Sequence, residues 1–217
     1  ASPAFGITFV SELENRVLSG ETLNARYGLI CQVFRNFDPP CQKCPQPTDG
    51  DLCHACECPS VKRLSDEHAM LASSPAELTA GVSTGEIERR YGSAYVYQYS
   101  FNDPEGLADA MFTAFLGKRP SADERRNAGM LVYGRAGGAP RGLLFHRHGV
   151  TFSDLSAIVF GSEVYREAIV DGVFGRYLGR GPSSVERAHF VGTLDAQSPD
   201  LRPVIRAVVS SREYFAQ

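Results

Sequence analysis

A ten-residue pattern, Leu-Gly-x-x-Pro-Ser-x-x-Glu-Arg, stands twice in the chain, from Leu116 to Arg125 and from Leu178 to Arg187. Each copy is followed by an apolar run that closes on Ser-x-x-Tyr, at Ser162 to Tyr165 and at Ser211 to Tyr214. A repeat of this kind limits the second half of the chain to two related units. Its residue types say what those units are made of. Glycine after a helical run takes the left-handed conformation that ends a helix. Proline prevents continuation, and Ser-x-x-Glu is a capping box that opens the next helix. The pattern predicts a helix stop, a break and a helix start, stated twice.

The helix before the first stop should turn Ala110, Met111, Ala114 and Phe115 inward, and the helix before the second Val173, Phe174, Tyr177 and Leu178. Downstream, Leu155, Ile158, Val159 and Phe160 correspond to Val204, Ile205, Val208 and Val209. Ser121 and Ser183 are 62 positions apart, whereas Ser162 and Ser211 are 49 apart, so the first copy holds 13 more residues. The Gly-rich stretch Gly134–Val150 is where that length fits, as a loop free to carry function. It contains His146 and His148, two residues apart with no carboxylate or cysteine beside them. The pair reads as solvated or core histidines rather than metal ligands.

Upstream, residues 1 to 8 read as an extended leader. Phe9, Val10, Leu13, Val17 and Leu18 then recur at helical spacing, as do Leu23, Tyr27, Ile30, Phe34 and Phe37. The two runs predict a helical hairpin over residues 1–37. Residues 60 to 71 and a segment restarting at Ser74-Pro75 are also helical in pattern. Tyr95, Tyr97, Tyr99 and Phe101 alternate by two, which predicts a strand-like segment with one aromatic face, packed inward or offered to a partner. The whole is read as mainly α, in four parts: the hairpin, a cysteine-rich loop at 38–60, a connector at 61–104 and the duplicated helical domain at 105–217.

All six cysteines, Cys31, Cys41, Cys44, Cys53, Cys56 and Cys58, fall within 28 residues, and the stretch from Asp38 to Pro59 includes five prolines. Such a loop has no core of its own and needs cross-links to hold a shape. An even, clustered set points to disulfides in an oxidising compartment, with the pairing left open. The competing arrangement is zinc held by Cys41, Cys44, Cys53 and Cys56, two Cys-x-x-Cys arms; a third is free, redox-active thiols. Covalent haem needs histidine straight after such an arm, and Pro45 and Glu57 stand there instead.

Gly81-Val82-Ser83-Thr84-Gly85 matches the spacing of a hydrolase nucleophile elbow. That elbow follows a buried strand, and Ala76 to Ala80 does not read as one. Ser83 is better explained as a helix cap with Glu86 three residues on, and no catalytic residue is expected.

The net charge of −3 and the absence of a Lys/Arg cluster argue against nucleic-acid binding. No run approaches the about eighteen apolar residues of a membrane span. The opening Ala-Ser-Pro-Ala, without Met, fits the product of signal-peptide cleavage. Together with the cysteines it makes the periplasm, the cell surface or the outside of the cell the expected location.

Residues 105–217, with an aromatic helix, Leu-Gly-Arg-x-Pro, a charged helix and an apolar helix ending in Ser-x-x-Tyr, resemble a helical domain of unknown function found in secreted and surface-layer-like bacterial proteins. The run Ser162-Glu163-Val164-Tyr165-Arg166 is also similar to one in phycobilisome rod linkers. The resemblance implies helical assembly and contacts with other proteins, including subunits of a larger complex, and carries over no catalytic residue. The expected function is a structural or protein-binding subunit, with a metal or redox protein built on Cys41–Cys58 as the alternative.

Overall fold

A computed structural model describes residues 2–38, 41–42, 58–99, 101, 103–133 and 142–216. The described chain is mainly α-helical and divides into two units, one of residues 1–81 and 90–102, the other of 82–89 and 103–217.

The first unit begins with α1 (Pro3–Val17) and α2 (Leu23–Phe37), capped by the Ser2 and Thr22 hydroxyls. The expected extended leader is therefore helix: Ser2 supplies the cap and Pro3 the first helical position, where a missing N–H costs nothing. After Cys58 come α3 (Pro59–Ala72) and α4 (Ser74–Ala80), and α4 ends on Gly81 at φ 111°. The expected hairpin of α1 and α2 is not the packing observed, since α1 lies mainly on α4 and α2 on α3. Gly6 makes the difference: a Cβ there would stand 2.6 Å from the Pro75 carbonyl oxygen, so the glycine lets the α1 and α4 backbones meet. Gly6, Val10, Leu13 and Val17 form the face that is buried.

The tyrosine stretch is helical, which corrects the strand expectation. Helix α5 (Thr84–Ser93) carries Tyr91 and α6 (Tyr95–Gln98) follows at once. A run that alternates by two also contains partners four apart, and those are the contacts made. Tyr95 stacks on Tyr99 at 5.8 Å between ring centres, and Tyr97 meets Phe101 edge-on at 5.4 Å. The Glu67 carboxylate decides for helix by accepting the first N–H groups of α6, from Tyr95 at 2.9 Å and Val96 at 3.3 Å. These are donors that no intrahelical carbonyl can take.

In the second unit, α7 (Pro104–Leu116) ends on Gly117 at φ 62° and α10 (Glu163–Leu178) on Gly179 at φ 64°. Helices α8 (Ala122–Tyr133) and α11 (Ser184–Thr193) open on the two predicted capping boxes. Helices α9 (Phe152–Phe160) and α12 (Leu201–Val209) close the copies. The Ser162 hydroxyl then caps α10, and the Ser211 hydroxyl accepts from the Tyr214 N–H in the same way. Leu107, Ala108, Met111, Phe112, Ala114 and Phe115 are buried on α7, and Ala110 lies at the edge of that face.

The 13-residue excess ends in a hairpin, β1 (Gly142–Leu144) against β2 (Arg147–Gly149), antiparallel with Gly142 opposite Gly149. Both glycines are required by close approach: a Cβ at Gly142 would lie 2.6 Å from the Asn127 carbonyl oxygen, and one at Gly149 2.7 Å from the Leu131 side chain. The turn places Phe145 and His146 at φ 47° and 63°, a region costly for a bulky side chain. The Phe145 ring is held there against Phe112, 5.8 Å away. The rest of the Gly-rich stretch, 134–141, lies outside the described residues.

Candidate functional site

Cys41 and Cys58 form a disulfide with Cα atoms 5.3 Å apart. Both cysteines are buried in a cluster with Cys31 and Val61, so the bond ties the start of α3 to the turn that follows α2 and packs beside Cys31 of that helix. Cys31 is disulfide-bonded too, and among the described residues no cysteine is free. Cys44, Cys53 and Cys56 lie outside the described residues. The observed bond engages Cys41, one of the four thiolates of the zinc arrangement, because a sulfur bonded to sulfur is not a thiolate ligand. Among the described residues no group of three or more His, Cys, Asp or Glu is placed to hold a metal.

The four aromatic candidates do not share one face. Tyr97 is fully buried, Tyr95 and Phe101 are half-buried, and Tyr99 is 46% exposed. Tyr95 and Tyr99 meet Phe34 of α2 edge-on at 6.5 and 5.6 Å, and the Arg63 guanidinium lies 4.4 Å from the centre of the Tyr95 ring. Tyr99 is the exposed member of the stretch, beside this cation over an aromatic face. Beneath it, Glu67 accepts from the Tyr27 hydroxyl as well as from α6, and so joins α2, α3 and α6. Burial, then the neighbouring Glu67 charge, raises the Tyr27 hydroxyl above its ordinary range. Tyr91 donates to Glu14 at 2.7 Å and is raised in the same direction, by burial first. Tyrosine is thus held protonated where a carboxylate needs a donor.

No elbow geometry surrounds Ser83, because helix α4 precedes it. Its hydroxyl accepts from the Glu86 N–H at 3.1 Å and lies 2.6 Å from the Ser198 hydroxyl. Gly81 ends α4, and Gly85 donates to the Pro199 carbonyl at 2.8 Å in a space where a Cβ would come within 2.5 Å of that oxygen. The Thr84 hydroxyl accepts from Leu201 N–H at 2.9 Å, and Arg202 donates to the Val82 carbonyl at 2.9 Å. Each residue of the Gly-x-Ser-x-Gly match serves a cap or a close backbone contact.

The chain matches no family model, no curated protein and no solved structure. Its own two copies can be compared position by position. Lys118 Nζ lies 5.7 Å from the Phe112 ring centre and bonds Glu124 at 3.2 Å. At the matching positions the Arg180 guanidinium lies 5.3 Å from the Phe174 ring and bonds Glu186 at 2.8 and 3.0 Å. Arg180 also takes Glu213 at 2.5 and 2.6 Å, where the first copy has Val164. A guanidinium has enough donors for two carboxylates, which accounts for arginine there and lysine in the first copy. Glu186 is held down at about 2, by Arg180 first and Ser183 second.

The histidine-bearing turn is exposed, with His146 at the tip and His148 on β2 opposite Leu143. Sequence reading missed Glu14, Glu67 and Glu88 as acceptors for buried tyrosines. Tyr165 donates to Glu88 from 77 positions away, a distance over which spacing carries no signal.

Proposed function

We propose that the chain is a structural or protein-binding subunit, a scaffold or linker component of a bacterial extracytoplasmic assembly. One observation carries this reading: the two copies repeat stop, cap, cation over ring and ion pair at matching positions, so their shared residues all build a frame. A frame of matched helical units presents surfaces at fixed spacing, and its mechanism is the display of shape. The Cys41–Cys58 disulfide favours an oxidising compartment. Among the described residues no helix is long and apolar enough to cross a membrane. The resemblance of residues 105–217 to helical domains of secreted and surface-layer-like proteins agrees with this role.

The test is fractionation of the native source, with thiol counting and cross-linking mass spectrometry on the intact chain. The proposal expects the chain outside the cytoplasm, oxidised, with cross-links from the 142–149 hairpin or the Arg63–Tyr99 region to other subunits. A chain found in the cytoplasm with reduced thiols, or cross-linked to no other protein, overturns it.

A further inference from the structure

We draw no further inference here: the strongest candidate, the exposed rings of Tyr214 and Phe215 that follow α12, is an apolar patch where the first copy buries Tyr165, and nothing among the described residues shows what covers it.

Discussion

Arg187 holds Asp171 through two donors, Nε at 2.9 Å and Nη2 at 3.1 Å, reaching back 16 positions across a helix, a turn and a helix. The first copy repeats this with Arg125 Nε 2.8 Å from Asp109, again 16 positions back. Neither aspartate belongs to the ten-residue pattern, so the structural repeat is longer than the one the eye finds. Both pairs are well exposed, and such pairs act on geometry more than on stability. Their removal should change thermal stability less than a change at the glycine stops.

Gly117 and Gly179 occupy left-handed conformations with open space where a Cβ would go. Substitution by alanine therefore costs only the backbone term, about 1 kcal/mol at each site. Urea unfolding should show equal losses for G117A and G179A and a smaller loss for asparagine. A much larger loss at one site would mean that the copies are not built alike.

The Glu186 carboxyl sits at about 2, against an ordinary glutamate near 4.3. A lowered value means a contribution complete above the ordinary value and lost as pH falls toward 2. E186Q should therefore be less stable than wild type at pH 6, and the gap should close between about pH 4 and 2. Urea midpoints measured across that range check the sign.

Tyr27 and Tyr91 are raised above the ordinary tyrosine value of about 10. Their contribution is complete below that value and is lost as pH climbs above it. Alkaline unfolding, followed by circular dichroism from pH 9 to 12, should begin near pH 10 in wild type. It should be less steep in Y27F, which has one tyrosine fewer to ionise.

Tyr165 is fully buried and donates to Glu88, itself 5% exposed. Removing the hydroxyl takes a donor from a buried carboxylate, which costs about 1–3 kcal/mol. Y165F should lose that much in urea, whereas Tyr214, the matching residue of the second copy at 38% exposure, should tolerate phenylalanine with little change.

Cys41 and Cys58 are 17 positions apart. Closing a loop of that length restricts the unfolded chain by roughly 3 kcal/mol. Replacing both by alanine should lower unfolding stability by about that much without loss of the native helical spectrum.

Local chemistry was legible in the sequence because each device is built within a few residues. Gly117 with Pro120, and Ser121 with Glu124, act through backbone groups one turn away, so their spacing alone placed helix ends. The mainly helical class and the disulfide-bonded cysteines followed from the same kind of reasoning. The questions that spacing left open needed partners from far along the chain. Whether the run from Tyr95 to Phe101 is strand or helix depended on Glu67, 28 positions from Tyr95, being there to take its first N–H groups. That α1 would pack on α4 instead of α2 depended on Gly6 meeting Pro75. That Ser83 would be tied to Ser198 rather than exposed on an elbow depended on a contact 115 positions long. Sequence by itself determined the helix stops at Gly117 and Gly179 and the starts at Ser121 and Ser183, since capping there is satisfied locally. Only the tertiary structure decided which helix faces are buried, since burial depends on the neighbour that arrives.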